Sequence, residues 1–167
     1  MKEISKSLSG ADIKSKVNCN LLQYSDLHKY NSIDDILGSH KKCVLLYHTS
    51  ANYGHWVCIY EYKGTIYFFD SYGSIPDSQL KFLNKDLKEE LNSNHRHLTE
   101  LLYRSNRPVE YNQYQFQKRE PNVATCGRHC IVRLKYPEIS IEEYHNIFKQ
   151  SSRYIDNDKL VCLLIPF

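Results

Sequence analysis

The spacing of apolar residues along the chain switches between unbroken runs, alternation and helical stripes, and each switch marks an element. Ser9 to Val17 reads as a short helix. Ser32 to Leu37 reads as another, with Ser32 as its cap and Gly38 as its stop. Val44 to Tyr47, inside Lys42 to His48, is a continuous apolar run of the kind a buried central strand needs. Val57 to Tyr62 and Thr65 to Phe69 are β-rich segments around Lys63-Gly64, which suits a two-residue hairpin turn. With that turn length Tyr62 faces Thr65, His55 falls opposite Tyr72, and Asp70 falls opposite Val57. His55 and Asp70 are then diagonal neighbours on one face, with Cβ atoms ~7–8 Å apart or a little less. A turn longer by one residue would part them.

Beyond the loop at Ser71-Tyr72-Gly73, Asp77 to Leu91 carries Leu80, Leu83, Leu87 and Leu91 as one helical stripe. His95 to Tyr103 continues as a second helix. Val109 to Gln117 alternates and predicts a strand with Gln113, Gln115 and Gln117 on one face. After Pro121, Cys126 to Lys135 reads as a helix stopped before Pro137, with Thr125 at its cap and Cys126, Cys130 and Leu134 on one inward row. Ser140 and Glu143 form a capping-box pattern for a helix to about Phe148. Leu160 to Pro166 reads as a final buried strand. No internal repeat, low-complexity tract or linker interrupts the pattern.

At 167 residues, 41% hydrophobic and 25% charged, the chain suits one globular domain, residues 1–167, with a core that needs no staples. No apolar run approaches the ~20 residues that span a bilayer, so no membrane partner is expected. Met1 to Ser9 lacks the apolar stretch of a secretory signal, which predicts a reducing, cytosol-like compartment. Six cysteines there need no disulfides, and Cys43, Cys58 and Cys162 sit in apolar runs as core thiols. A net charge of +3 is too small to indicate nucleic acid. Fourteen tyrosines, with Trp56, could in part line an extended peptide groove.

The chemistry-bearing residues give this background a purpose. Cys126 begins a helix, where partial positive charge and free amides favour a thiolate over a thiol of pKa about 8.5. A lone cysteine is more often a structural core thiol, so its partners decide. Among eight histidines, only His55 is offered a same-face carboxylate, that of Asp70, by the hairpin. Gln117 could donate to an oxyanion beside the Cys126 amide, with Gln115 as the alternative. Gly127 would let a substrate backbone approach. Cys126, His129 and Cys130 could be three metal ligands, but no second Cys-x-x-Cys completes a four-ligand site, so no metal is expected.

Two blocks carry a resemblance. Tyr47 to Gly73, with Gly54-His55-Trp56 and Phe68-Phe69-Asp70-Ser71-Tyr72-Gly73, and Gln117 to Val132, with Thr125-Cys126-Gly127-Arg128-His129, resemble the adenovirus-type (adenain-like) processing cysteine peptidases. The likeness is to members encoded by large DNA viruses and virophages. The same broad group includes the ubiquitin-like-protein (SUMO) deconjugating peptidases, with the shared order His, acid, Gln, Cys. The blocks cover roughly a third of the chain. Asp70 stands where the adenovirus enzyme has Glu, and the Gln117–Cys126 spacing is longer than usual.

The resemblance implies an α+β fold, a central mixed sheet of about five strands flanked by helices, with the nucleophile at the N-terminus of a buried helix. It implies Cys126 as nucleophile, His55 as base, Asp70 as its orienter, Gln117 as oxyanion donor, and Trp56 as a groove wall. It further implies a monomeric endopeptidase that needs no cofactor and cuts viral capsid or core precursors at Gly-containing sites. Its location would be the host cytoplasm, the viral factory and the virion. Some members of the group are stimulated by a peptide or by DNA. A deconjugating isopeptidase, a related acyltransferase and a non-catalytic peptide-binding module are the alternatives.

Overall fold

The computed structural model describes residues 2–50 and 53–167. It is an α+β fold built on a five-stranded mixed sheet. The strands are β1 (Asn20–Gln23), β2 (Lys42–His48), β3 (Gly54–Tyr62), β4 (Thr65–Phe69) and β5 (Val109–Tyr111), and they lie side by side in chain order. The β1–β2 and β4–β5 pairs are parallel, the two central pairs antiparallel. Among the described residues seven α-helices accompany them: α1 (Gly10–Lys16), α2 (Ile33–Leu37), α3 (Lys85–Glu90), α4 (His97–Arg104), α5 (Cys126–Lys135), α6 (Ile141–Ser151) and α7 (Asn157–Leu164).

The central strands are buried on both faces, so alternate residues feed two cores. Val44, Trp56, Cys58, Tyr60 and Phe69 pack with residues of α1, α5, α6 and α7. Cys43, Leu45, Val57, Ile59, Ile66 and Phe68 pack with α2, α4 and two 3₁₀ turns, Tyr24–Lys29 and Ser78–Phe82. The six cysteines are free and buried. Among the described residues no helix is long and apolar enough to cross a membrane.

The hairpin has the register expected from a two-residue turn. Tyr62 pairs with Thr65 and Cys58 with Phe69. Lys63 and Gly64 take positive φ of 49° and 81°, as a primed turn requires to match strand twist. Ser9, Ser32 and Ser140 each cap a helix by accepting an amide hydrogen bond, from Asp12, Asp35 and Glu143 respectively.

Four segments differ from the expected elements. Leu160 to Pro166 is not a strand; most of it belongs to α7, because Asp156 accepts from the amides of Asp158 and Lys159 and starts a helix there. An unbroken apolar run is ambiguous between the two states, and the cap decides. The strand count survives because the four-residue β1, read as no element at all, replaces it. Asp77 to Leu91 is broken into the 3₁₀ turn and α3, since Leu83 is extended and the Asn84 side chain caps α3 at Leu87. Finally, β5 stops at Tyr111. The Asn112 amide still bonds the Phe68 carbonyl, but its side chain donates to the Asp70 carbonyl and accepts from the Tyr114 amide, and beyond it the Ser71 carbonyl takes the amides of both Phe116 and Gln117.

At Gly64 an added Cβ meets nothing within 4 Å, so only the backbone conformation resists a side chain. Gly64→Ala is expected to lower unfolding stability by about 1 kcal/mol, and Gly64→Asn by less. Denaturant midpoints of the two variants check this order.

Candidate active site

His55 lies one residue into β3 and Asp70 one residue past β4, so the hairpin register carries both to the same end of the sheet. The His55 Nε2 and Asp70 Oδ1 atoms are 2.7 Å apart. The His55 ring stacks on Tyr72 at 4.5 Å and 12°, although the paired ladder ends at Phe69 and Tyr72 lies in the turn that the Gly73 amide closes on the Asp70 carbonyl. Asp70 has no exposure to solvent. Its Oδ1 also accepts from the Tyr72 amide at 2.8 Å, and its Oδ2 accepts from Gln79 Nε2 at 3.1 Å. With Nε2 engaged by Asp70, the other ring nitrogen of His55 is the one left for a second partner.

That partner is Cys126, the first residue of α5, which lines the same cleft as the His55 ring and interacts with it there. Burial alone would depress the imidazole pKa, but hydrogen bonds and charge from Asp70 and Cys126 outweigh it and push it up to about 10. Burial would raise the Cys126 thiol, and the His55 interaction, helped by backbone groups of Trp56 and Gly127, outweighs that and holds it below its ordinary value. The favoured state is therefore a thiolate beside an imidazolium. The folded chain holds a proton on His55 that the unfolded chain releases at about 6.5. This group's contribution to stability is thus full below that pH and is lost as pH rises through about 10.

The Gln117 side chain is buried, with its Oε1 accepting from Ser71 Oγ at 2.7 Å. That bond orients the amide, leaving Nε2 with only long contacts, 3.3 Å to the Val123 carbonyl and 3.4 Å to Tyr72 Oη. Gln117, His55, Trp56, Tyr72 and Cys126 share one cleft of about 620 Å³, with Tyr53 and Phe82 exposed at its wall. Gln115 does not line this cleft and donates instead to the Gln117 carbonyl at 2.9 Å. Between the two glutamines the cleft contains Gln117.

Two expectations change. Gly127 is buried, and a Cβ there would point at Leu8 (3.3 Å), Trp56 (3.4 Å) and Ile13 (3.5 Å). It permits close packing of the N-terminal segment rather than approach of a ligand backbone. Thr125 stands at the N-cap of α5 but makes no side-chain cap bond. Its hydroxyl donates to Asp158 Oδ1 at 2.5 Å instead. Trp56 does line the cleft, and its Nε1 donates to the Leu8 carbonyl at 3.0 Å. His129, a candidate ligand beside Cys126 in sequence, is wholly buried with its Nε2 3.2 Å from Asp158 Oδ1.

Sequence reasoning missed Gln79, Ser71 and Asp158. Gln79 lay in a stretch read as an amphipathic helix. Ser71 read as a turn residue, and its place between the acid and the glutamine segment arises only from tertiary contact. The Asp-x-Asp pattern of Asp156 and Asp158 was the available sign of a helix start near Asp158.

A sheet end and a helix N-terminus thus bring a thiol, an imidazole and a carboxylate together beside a cleft, on a mixed α+β framework. No protein-family model matches the chain. The chain is 35% identical over 163 residues to the uncharacterized protein V9 of the Sputnik virophage, covering 95% of itself and 93% of that protein. The chain belongs to the family of that virophage protein. Among solved structures it is similar to the ASFV pS273R protease, with a TM-score of 0.44 and 9% identity, over 84% of this chain and 61% of that one. It is also similar to the SUMO protease Ulp1, whose catalytic cysteine is oxidized to a sulfinic acid in that structure. There the TM-score is 0.39 and the identity 15%, over 93% of this chain and 77% of that one.

Alkylation of Cys126 by iodoacetamide is expected to show a pH midpoint below that of an ordinary thiol. His55→Ala moves the midpoint upward, because only the backbone groups of Trp56 and Gly127 then oppose the effect of burial. A midpoint insensitive to the substitution contradicts the pairing.

Proposed function

We propose that the chain is a cysteine endopeptidase that processes polypeptide precursors of a virus particle. The observation that carries this reading is the buried Asp70–His55 pair set against the Cys126 thiol at the cleft. A thiol made acidic by a neighbouring imidazolium is the form that attacks a carbonyl at neutral pH. The kinship with a virophage protein supports the viral setting.

In this reading a polypeptide lies in the cleft lined by His55, Trp56, Tyr72, Gln117, Ala124 and Cys126. The Cys126 sulfur attacks the scissile carbonyl carbon, and the electron pair of the carbonyl moves to oxygen. The Gln117 Nε2 group and the Cys126 amide donate to that oxyanion. The tetrahedral species collapses as the leaving amine takes the proton held on His55, which leaves a thioester on Cys126. His55, now neutral, draws a proton from water. The water oxygen adds to the thioester carbonyl, and its collapse releases the new carboxylate and restores the thiolate–imidazolium pair. Asp70 keeps the ring oriented and stabilises its cationic form throughout.

Residues 1–167 act as one domain and as a monomer in this proposal, with capsid or core precursors as substrates, cut at Gly-containing sites. Cys126→Ala and His55→Ala are each expected to reduce cleavage at least about a thousandfold, and Gln117→Ala about a hundredfold. Incubation with proteins of the same genome, followed by N-terminal sequencing of the products, identifies the cut sites. Near-wild-type cleavage by the Cys126 or His55 variant overturns the mechanism. Fast labelling of Cys126 by a ubiquitin-like vinyl-sulfone probe, with no precursor cleaved, replaces the endopeptidase with a deconjugating isopeptidase.

A further inference from the structure

A second buried carboxylate bonds the residue that precedes Cys126. Asp158, in the first turn of α7, is 1% exposed and accepts from three groups. Its Oδ1 takes the Thr125 hydroxyl at 2.5 Å and lies 3.2 Å from His129 Nε2. Its Oδ2 takes the Lys118 amide at 3.1 Å. Thr125 immediately precedes Cys126, and Lys118 immediately follows Gln117. One carboxylate therefore ties together the segments that present the proposed nucleophile and the proposed oxyanion donor.

The Thr125 bond has a consequence at the start of α5. A threonine at an N-cap ordinarily accepts, through its hydroxyl oxygen, an amide of the first turn. Here that oxygen is turned toward Asp158 and no side chain caps the helix. The Thr125 backbone, with φ −98° and ψ 3°, is not in the extended conformation from which a cap residue reaches those amides, so its hydroxyl is available to Asp158. His129 joins the cluster as a neutral donor, its Nδ1 buried without a partner and its pKa lowered by burial despite the Asp158 bond. Lys118 Nζ pairs with Asp156 rather than Asp158.

We infer that Asp158 is a positioning residue for Cys126: by accepting from the Thr125 hydroxyl and the Lys118 amide, it fixes the segment that presents the sulfur against the one that presents the Gln117 side chain. The inference rests on the reading of Cys126 as a nucleophile. In an Asp158→Ala chain both bonds are lost and the sulfur is no longer held in place against the His55 ring.

A mutant cycle on the full chain tests this with Asp158→Ala, Thr125→Val and the double variant, each checked for folding by thermal melting. The iodoacetamide reactivity of Cys126 against pH is read for every variant, together with kcat and KM on a cleaved polypeptide. Asp158→Ala is expected to move the alkylation midpoint upward and to lower kcat about tenfold with KM little changed. Thr125→Val alone is expected to show part of that shift, and in the Asp158→Ala background to add little, because the bond it removes is already gone. Additive effects, or an alkylation midpoint unmoved by Asp158→Ala in a folded chain, overturn the inference. Asp158→Asn, of similar size and with one acceptor oxygen, runs the same cycle if the alanine variant does not fold. Alkylation reports the thiol even where nothing is cleaved, so this inference and the peptidase reading fail separately.

Discussion

A carboxylate sealed from water holds the arrangement together. Stripping Asp70 of solvent is costly unless every lone pair finds a donor, and three do: the His55 ring, the Tyr72 amide and the Gln79 amide. These donors come from β3, from the loop after β4 and from the 3₁₀ turn Ser78–Phe82. Satisfying one charge therefore dictates the hairpin register, the course of the following loop and the break in what the leucine pattern draws as a long helix. Removing any donor would leave a buried charge partly unmet, which is why the site and the fold are specified by the same contacts.

The second carboxylate extends this logic to the segment that precedes the Cys126 sulfur. Asp70 faces the imidazole and sets its proton affinity; Asp158 faces the residue before the sulfur and the segment after the glutamine. The N-terminus of α5 lies between them. Ser71 links the two halves, because its hydroxyl bonds Gln117 and its carbonyl receives the amides of Phe116 and Gln117. Thiol, ring and amide are placed by buried polar bonds rather than by loop packing alone, a rigidity that suits a preorganised site.

What was legible in the sequence was what local rules govern. The Lys63-Gly64 turn sets the pairing of Tyr62 with Thr65, and period-two alternation then brings His55 to Asp70. Serine caps and Gly38 marked three helices correctly. Where tertiary partners choose between local options, the pattern was silent or misleading. Leu160 to Pro166 is as apolar as a strand, yet Asp156 makes most of it helical. Gln113, Gln115 and Gln117 share a parity, yet Asn112 takes the chain out of the sheet, so only Gln117 is turned into the core. Thr125 is a natural cap by residue type, yet its backbone is not extended and its hydroxyl bonds the buried Asp158, distant along the chain.

The central claim is that His55 carries a proton at neutral pH because Asp70 and the Cys126 sulfur surround it. Titration of the His55 ring by NMR, in the wild-type chain and in Cys126→Ala, reads this directly. The account predicts a ring that stays protonated through neutrality and releases its proton near pH 10, with the midpoint lowered when the sulfur is removed. A wild-type ring that titrates at the ordinary imidazole value of about 6.5, unchanged in Cys126→Ala, would contradict it.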